Sequence, residues 1–383
     1  MINHELLDPV LGPVLSLYAD QQPTDEPWLY RFIALAVPPD PRFPVDGLGG
    51  AGVAVNKQHA MLKAFYECLE RVALSLCPRY DSDVEGDRWP LDDWACRPVG
   101  ELPRLRLSQG RNLITDAPVV VPAQLVYVPY PFDEPLLRDI VSTGAAAGPT
   151  KLDALKSGAL EVIERDAFMR AYYARTPVRK IEDLRGPVTT LMESVRMCDL
   201  EAIILELSTD AKCHVVLCVV MDSRDEYVPV SLGAKAHPDP SVAILGAVEE
   251  ALQVRAFYRV ELQRNPSYSE PIETITERAA YWASRDRLGE LNMWLDADCP
   301  RVRYDDLTRW NWDELVGSIR DLSWRFAYVD LTPADWTAVC VVKVLSPDLQ
   351  FMHLNEHLKV FHPRLLSLRS AEQLDAVPPH PFL

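Results

Sequence analysis

The sequence predicts a single α/β unit in which acidic helices pack on mixed β-sheets. Segments with the apolar spacing of a helix alternate with short apolar runs typical of strands. The 383 residues are 48% apolar and 25% charged, which is the composition of a globular chain with a sizeable core. No stretch is polar and flexible enough to separate independent domains. We therefore expect one domain over residues 1–375, followed by a proline-rich tail over residues 376–383.

The first predicted elements lie before residue 130. Residues 25–50 are rich in proline and glycine and are expected to form strand and loop. The apolar spacing then predicts a helix over residues 57–76. A connector rich in proline and tryptophan, residues 81–103, leads to predicted strands over residues 117–122 and 124–129.

The later elements follow the same alternation. A loop of small residues, 142–148, precedes a helix predicted over residues 151–174. The remaining expectations, in order, are strands over residues 202–207 and 214–221, a loop over 231–240, a helix over 241–262, and strands over 325–331 and 338–345.

Composition excludes several classes of protein. A net charge of −17 is unsuited to a general nucleic-acid surface, and no apolar run is long enough to span a membrane. The eight cysteines include no C-x-x-C pair, which favours free thiols. Acidic residues and prolines near the N-terminus do not fit a signal peptide, so we expect a cytoplasmic protein. Residues 353–357 match a zinc motif, but their position after a strand and a proline favours a solvated or packing role.

The most informative feature is a repeated acidic pattern on predicted helices. Glu67, Glu70 and Arg71 recur at the same spacing as Glu161, Glu164 and Arg165. A third helix carries Glu250, Gln253 and Arg255. Side chains three residues apart on a helix lie on one face, one turn from each other, so each helix presents a pair of oxygen-bearing groups together.

A solvated helix face with charge pairs would explain one such pattern, but it does not explain two. A chain of this length should contain the string E-x-x-E-R by chance roughly 0.1 times. Moreover, Glu161 and Glu164 lie among apolar residues, where an unpaired carboxylate is costly to bury. Paired carboxylates with adjacent arginines are suited to a Mg²⁺–triphosphate site.

These three segments resemble the nucleotide-binding motifs of the YcaO family. The resemblance extends to residues 236–255, 121–127 and 329–335 and to the C-terminal Pro-His-Pro, and it covers roughly residues 45–383 in the expected order. It implies a YcaO-type unit with ATP and Mg²⁺ as cofactors. The chain departs from the usual pattern at four positions, namely Ala51, Lys63, Thr143 and Gly246.

The resemblance also implies a role for individual residues. Mg²⁺ would be coordinated by Glu67, Glu70, Glu161 and Glu164. The remaining residues of the nucleotide pocket would be Arg71, Ser142, Thr143, Ser157, Arg165, Glu250, Gln253 and Arg255. In the tail, His380, Pro381 and the terminal carboxylate of Leu383 would serve catalysis, because prolines stiffen an extended chain and His380 or the carboxylate could move a proton.

The activity implied by the resemblance is that of a peptide cyclodehydratase. Such an enzyme uses ATP to convert Cys, Ser or Thr of a ribosomal precursor peptide to azolines, in pathways to thiazole- and oxazole-containing peptides, some of them antibiotics. The expected partners are the precursor peptide and a leader-binding or ThiF-like protein, with no nucleic acid and no membrane. The oligomeric state stays open, a homodimer being one option.

Three other interpretations stay open. The same ATP chemistry with an external nucleophile such as sulfide would give a thioamide. The departures at Ala51 and Gly246 fit an accessory subunit without catalysis. The third interpretation is an acidic binding module without a nucleotide.

Overall fold

The computed structural model describes residues 6–7, 12–21, 23–36, 48–78, 84–97, 105–224, 228–264, 267–296 and 298–382. The strands in these residues are β1 (Val14–Ala19), β2 (Tyr30–Ala36), β3 (Leu48–Ala54), β4 (Asp87–Arg88), β5 (Leu107–Asn112), β6 (Pro118–Pro122), β7 (Ala145–Gly148), β8 (Val178–Glu182), β9 (Glu201–Leu207), β10 (His214–Met221), β11 (Val230–His237), β12 (Arg301–Arg303), β13 (Ala327–Asp330) and β14 (Cys340–Leu345). The helices are α1 (Lys57–Ser75), α2 (Lys151–Tyr173), α3 (Pro187–Met197), α4 (Pro240–Arg264), α5 (Ile275–Trp282), α6 (Asn292–Leu295), α7 (Trp312–Asp321), α8 (Pro363–Leu366) and α9 (Ala371–Asp375). This mixture confirms the predicted α/β class.

Residue contacts divide the chain into two compact units, each built from separate stretches of sequence. The first unit comprises Met1–Gln21, Tyr30–Val162 and Ser323–Leu349. The second comprises Gln22–Leu29, Ile163–Leu322 and Gln350–Leu383. The expected division into residues 1–375 and 376–383 is a different one, and it stays a prediction.

The first unit contains two sheets. One has the strand order β1-β2-β3, with antiparallel pairing throughout, so β3 is an edge strand. The other has the order β4-β6-β5-β13-β14-β7, in which only β4 pairs in parallel. Helix α1 covers the small sheet with its apolar face. Its buried residues include Ala60, Ala64, Phe65, Cys68, Leu69 and Val72.

The second unit contains one sheet with the order β11-β10-β9-β8-β12. β12 pairs with β8 in parallel, and the other pairs are antiparallel. Strand β10 is buried along nearly its whole length, as its uninterrupted apolar run predicts. Strand β11 is an edge strand, and helix α4 follows it.

Three predicted segments differ from the structure. Residues 124–129 are not a strand, because the chain turns into a short 3₁₀ helix (Ala123–Leu125) where the buried Gln124 side chain accepts a hydrogen bond from Leu137 N–H at 2.8 Å. An apolar run alone does not distinguish these alternatives. The expected loops over residues 142–148 and 231–240 contain strands β7 and β11, whose small residues mark closely packed strands.

Two expectations from composition can be compared with the structure. All eight cysteines are free thiols, which confirms the prediction against a disulfide framework. None of the helices that the structure describes combines the length and the apolarity that crossing a membrane requires.

Candidate active site

In the first unit, a glutamate of helix α1 binds the exposed edge of strand β3. Glu67 Oε2 accepts a hydrogen bond from the Ala51 main-chain N–H at 2.8 Å. Glu67 Oε1 accepts one from Arg71 Nη2 at 2.5 Å. Among the described residues β3 pairs with β2 alone, so the Ala51 N–H takes a partner from outside the sheet, and the helix supplies it.

Two glycines of β3 allow this close approach. A Cβ atom on Gly50 would lie 2.2 Å from Ala64 O and 2.4 Å from Cys68 N. One on Gly52 would lie 2.0 Å from the carbonyl oxygen of Ala60. No side chain fits at these distances, so the glycines bring the helix backbone against the strand and place Glu67 beside Ala51.

The second unit repeats this arrangement with strand β11 and helix α4. Glu250 Oε2 accepts a hydrogen bond from Ala234 N–H at 2.8 Å, and the two residues are 16 positions apart, as are Ala51 and Glu67. A Cβ atom on Gly233 would meet Ala247 O at 2.5 Å and Ala251 N at 2.1 Å. The two glycine contacts fall at the same sequence spacings as those of Gly50. The repeated acidic pattern in the sequence therefore corresponds to a repeated geometry in the structure, in which a helix packs closely on an edge strand and its glutamate binds a main-chain N–H of that strand.

Glu70 lies in a cluster of like charges in the first unit. Burial raises the pKa of its carboxyl well above the ordinary value, and the charges of Glu161 and Glu67 raise it further. Arg71 and Lys343 act in the opposite direction. The carboxylates of α1 and α2 that the sequence singled out are thus electrostatic neighbours, which is the arrangement expected of groups that share a cation.

Lys343 on β14 is a residue of this cluster that sequence reasoning missed. Its side chain is fully buried, and its Nζ donates a hydrogen bond to Val141 O at 2.7 Å. Burial lowers the pKa of this ammonium to about 7, against the attraction of Glu161 and Glu70. The signal was present in the sequence as a single lysine inside the apolar strand C-V-V-K-V-L.

Glu164 and Arg165 on α2 form the corresponding charged group of the second unit. Glu164 is 3% exposed, and its Oε2 accepts a hydrogen bond from Ala236 N–H of β11 at 2.7 Å. Arg165 Nη1 lies 3.6 Å from Glu164 Oε1, and Nη2 lies 3.9 Å from Glu250 Oε1. The structure therefore brings three of the predicted residues together: Glu164, Arg165 and Glu250.

The predicted small polar residues lie in the turn before β7 and in the first half of α2. Ser142 and Ser157 are exposed, and Thr143 is half-buried. Ser142 O accepts a hydrogen bond from Ala145 N–H at 2.8 Å, which closes the turn before β7. Gly144 has φ +84, a left-handed conformation that favours glycine. The turn leaves the Ser142 side chain accessible to a ligand.

Arg255 has a structural environment of its own, and Gln253 beside it on α4 is half-buried. The Arg255 guanidinium is 3% exposed, and its Nε donates to Glu26 Oε1 at 2.9 Å. Its Nη2 donates to Asp222 at 2.8 Å and its Nη1 to Val228 O at 2.9 Å. Arg255 thus ties α4 to two other segments of the second unit. Its binding of nucleotide, like that of Gln253, stays a prediction.

The tail is packed inside the second unit. His380 is fully buried, and its Nε2 lies 2.6 Å from His353 O. Because a carbonyl only accepts, Nε2 carries the proton, and Nδ1 then accepts from Phe382 N–H at 3.3 Å. Burial, with the nearby Arg278 and His353, holds the pKa of His380 well below its ordinary value. Both ring nitrogens are engaged, so the catalytic role predicted for His380 gains no support here. Leu383 lies outside the described residues.

The donor set of the first unit suits Mg²⁺. The crowded carboxylates around Glu70 offer oxygen ligands, and a cation would relieve their mutual repulsion. The described part of the chain contains no ready cage of three or more histidine, cysteine or acidic residues. ATP-using enzymes usually bind Mg²⁺ through one or two carboxylates and complete its shell with phosphate oxygens and water.

Helices that pack on edge strands and present carboxylates and an arginine define a class of site that is suited to a magnesium–nucleotide complex. A family model described as "YcaO cyclodehydratase, ATP-ad Mg2+-binding" matches residues 77–350. The chain belongs to the YcaO family. The expected cofactors, ATP and Mg²⁺, are confirmed by this match, and the chain is accordingly a member of a family of ATP-dependent enzymes.

Individual relatives agree with this membership. An uncharacterized protein of Methanothermobacter thermautotrophicus is 30% identical over 302 residues, which are 68% of this chain and 77% of that protein. The structure is similar to that of YcaO from Methanopyrus kandleri bound with AMPPCP and Mg²⁺, with TM-score 0.66, 23% identity and coverage of 87% of this chain and 85% of that one.

A heterocyclase solved in complex with substrate and cofactor is also similar, with TM-score 0.78 and 19% identity. The alignment covers 99% of this chain but 56% of the heterocyclase, so the chain spans little more than half of that protein's length. At these identities the structural similarities establish the fold.

Proposed function

We propose that the protein is an ATP-dependent cyclodehydratase that activates backbone amides of a ribosomal precursor peptide and converts Cys, Ser or Thr to azolines. Family membership supports the ATP-dependent part of this proposal. The similarity to a heterocyclase bound to its substrate and cofactor supports the ring-forming part.

The observation that carries the proposal is the arrangement of charged groups on the strand-to-helix units. In the first unit the carboxylates of Glu67, Glu70 and Glu161 are electrostatic neighbours. In the second unit Arg165 lies beside Glu164 and Glu250. In the first unit we assign Glu67, Glu70 and Glu161 to Mg²⁺. In the second unit we assign Glu164 to Mg²⁺ and Arg165 to phosphate oxygens, because an arginine fork matches phosphate geometry. Bound Mg²⁺ would neutralise charge on the transferred phosphoryl group.

The reaction balances with ATP as the only co-substrate. The substrate's thiol or hydroxyl group gives up its proton to water, its sulfur or oxygen bonds to the preceding amide carbon, and the carbonyl oxygen becomes an oxyanion. That oxygen then bonds to the γ-phosphorus while the bond to ADP breaks. Loss of the amide proton and of phosphate completes the ring, so the peptide has lost one water, whose oxygen leaves in phosphate. The protein's own contribution is positioning and charge stabilisation.

Delivery of the peptide is a second part of the proposal. We assign the recognition of the leader sequence to a separate partner protein, of the leader-binding or ThiF-like kind. Reconstitution tests this part: the chain alone should modify the peptide slowly, and the partner should raise the rate.

The main test replaces individual carboxylates. Glu161→Gln and Glu164→Gln should each lower Mg²⁺-dependent ADP release in the reconstituted reaction by about 100-fold or more, as loss of electrostatic stabilisation typically does. Glu193→Gln, on the exposed face of α3, is the matched control and should keep the wild-type rate. Wild-type ADP release by both site variants would contradict the assignment.

Mass spectrometry of the product tests the ring chemistry separately. Loss of one water per modified residue supports azoline formation. Exchange of an amide oxygen for sulfur, in the presence of sulfide, would instead identify a thioamide-forming enzyme. Nucleotide binding without either product would identify an accessory subunit.

A further inference from the structure

The C-terminal tail ends against the arginine of the candidate nucleotide site. The Arg165 guanidinium carbon lies 4.3 Å from the centroid of the Phe382 ring. Phe382 is 1% exposed, and its ring packs against that of Phe168 at 4.8 Å between centroids. An aromatic face at this distance attracts a guanidinium and restricts the plane in which it lies.

The edge of the same guanidinium faces carboxylates. Arg165 Nη1 lies 3.6 Å from Glu164 Oε1 and Nη2 lies 3.9 Å from Glu250 Oε1. Both carboxylates attract the guanidinium at these separations. The Phe382 ring adds a contact to the guanidinium and so contributes to its orientation.

Phe382 is itself held firmly, because the tail's main-chain groups are bound by buried side chains. Pro379 O accepts hydrogen bonds from Trp282 Nε1 at 3.1 Å and from Tyr172 Oη at 3.3 Å. His380 O accepts one from Arg278 Nη1 at 2.8 Å. The Phe382 N–H donates to His380 Nδ1 at 3.3 Å. The ring therefore has a fixed position from which it can orient Arg165.

We propose that Phe382 is a positioning residue that orients Arg165 toward the phosphates of Mg²⁺–ATP, so that seating of the tail and binding of the nucleotide are coupled. The proposal rests on the assignment of Arg165 to the nucleotide. It differs from a purely catalytic role of the tail, in which altering the tail would leave nucleotide affinity unchanged.

The first experiment measures the affinity of the full-length protein for a non-hydrolysable ATP analogue with Mg²⁺ by titration calorimetry. Phe382→Leu, which keeps an apolar side chain but removes the ring, should weaken binding about 3- to 30-fold. Phe382→Tyr should restore affinity to within about twofold, because it keeps the ring. Phe361→Leu is the matched control: this ring packs on Tyr173, and its loss should leave the affinity unchanged.

A double-mutant cycle separates positioning from general destabilisation. In an Arg165→Lys background, Phe382→Leu should weaken binding much less than it does in the wild type, because the guanidinium that it positions is gone. Equal losses in both backgrounds, or wild-type affinity of Phe382→Leu, would overturn the proposal.

Reciprocity supplies a test on the unaltered protein, which applies even if the variants fold poorly. If the tail and nucleotide are coupled, the Mg²⁺-bound analogue should slow release of Leu383 and Phe382 by a carboxypeptidase. Binding of the analogue with no change in release would overturn this proposal while leaving the proposed function intact. A wild-type protein that does not bind the analogue would overturn both.

Discussion

Lys343 shows how one buried side chain can hold a cluster of carboxylates together. Its ammonium is buried on β14 and bonded to Val141 O, and its charge attracts both Glu70 and Glu161. A buried lysine is costly unless opposite charges compensate it, and here the compensating groups are the proposed metal ligands. In its protonated form, Lys343 therefore places a positive charge of the protein beside a site for a second cation.

Replacing Lys343 should make stability depend on Mg²⁺. Lys343→Met should lower the free energy of unfolding by about 3 kcal/mol without metal, because the half-buried carboxylates of Glu70 and Glu161 lose their counter-charge. Saturating Mg²⁺ should recover part of this loss, since the metal replaces the missing charge. Urea unfolding with and without Mg²⁺ measures both.

The control for this experiment is Lys151→Met. Lys151 makes a half-exposed pair with Asp330 at 3.3 Å, a kind of pair that contributes little to stability. The control should show only a small, Mg²⁺-independent change. A loss for Lys343→Met that is the same with and without Mg²⁺ would show that this lysine acts independently of the metal site.

Glu356 gives the second unit a defined response to acid. Burial alone would raise the pKa of its carboxyl, but its contacts with His353 and Arg278 outweigh burial and lower the pKa below 4.5. A carboxyl with a lowered pKa stabilises the folded state above its unfolded pKa, and the contribution is lost as the pH falls through the folded pKa. Arg278, whose side chain is fully buried, donates from Nη2 to Glu356 Oε1 at 2.8 Å.

We expect Glu356→Gln to lower the free energy of unfolding by about 3 kcal/mol at pH 7, because it leaves the Arg278 charge with a weaker partner. The difference from wild type should stay constant down to about pH 4.5 and shrink below it, where the wild-type carboxylate becomes protonated in the unfolded state. Urea unfolding across this pH range measures the effect. A difference that grows toward acid pH would contradict the argument.

At the residue scale, sequence reasoning found the groups that repeat and missed the groups that do not. Glu67, Glu164 and Arg165 stood out because their string occurs twice. Lys343 and Phe382 belong to no repeated motif. Their significance depends on contacts between segments that are distant in sequence, and the spacing of residues along one helix does not reveal such contacts. The role of His380 was implied by the resemblance of the tail and stays a prediction, and the structure engages both of its ring nitrogens.

At the scale of elements, the molecule uses one strand-to-helix unit at least twice. β3 with α1 and β11 with α4 share the glycine contact, the edge-strand position and the glutamate that binds the strand's N–H. Edge strands carry N–H groups that have no partner within the sheet. A carboxylate of a helix that accepts a hydrogen bond from such an N–H satisfies it and is itself held in place. The site's geometry follows from this packing.

A substitution at Gly52 tests that packing. In Gly52→Ala the new Cβ would lie 2.0 Å from Ala60 O and 2.5 Å from Ala64 N, so α1 must move away from β3. We expect a loss of about 2–4 kcal/mol in the free energy of unfolding, by the mechanism of overpacking, together with weaker Mg²⁺–ATP binding because Glu67 moves with the helix. Urea unfolding and nucleotide titration measure the two effects.

Gly317→Ala is the matched control for Gly52→Ala. Gly317 lies inside α7, where a Cβ atom would meet nothing within 4 Å. Alanine is the better helix former, so this variant should be stabilised by up to about 1 kcal/mol with nucleotide binding unchanged. If both glycine variants behaved alike, close packing of β3 on α1 would not be the cause.

Helices and strands were predicted correctly where a single hydrophobic periodicity dominated the segment. The helix expected over residues 241–262 matches α4 (Pro240–Arg264), and the strand expected over 214–221 has the same bounds as β10. The prediction of loops over residues 142–148 and 231–240 was wrong, because the small residues of these segments were interpreted as a sign of flexibility. In β11, a glycine and alanines are present because α4 packs against them, and that reason is visible only in three dimensions.

At the scale of the molecule, each compact unit is assembled from stretches that are far apart in sequence. The second unit combines Gln22–Leu29 with Ile163–Leu322 and the final Gln350–Leu383. Two contacts join the outer stretches of this unit to its middle stretch. They are the ion pair of Arg255 with Glu26 and the hydrogen bond from Arg278 to His380 O. The sequence predicted the class of fold but not this interleaving, because long-range ion pairs leave no periodic signal.

The tail consequently has a structural role that its position at the chain end did not suggest. Deleting residues 379–383 would remove the acceptors of Arg278 Nη1 and Trp282 Nε1, both on buried side chains, and would empty the space that Phe382 fills. Each buried donor left without an acceptor costs about 1–3 kcal/mol, and loss of a buried phenylalanine costs about 3–5 kcal/mol.

We therefore expect the truncated protein to lose a large part of its stability, with amide hydrogens of α5 exchanging faster than those of α1. Removal of Leu383 alone is the control and should leave this exchange unchanged, since every tail contact described above lies before it. Hydrogen exchange followed by mass spectrometry resolves the two helices. If the truncated chain kept wild-type protection in α5, the tail would be dispensable for folding, and its effect on ring formation would have to arise from chemistry at the site.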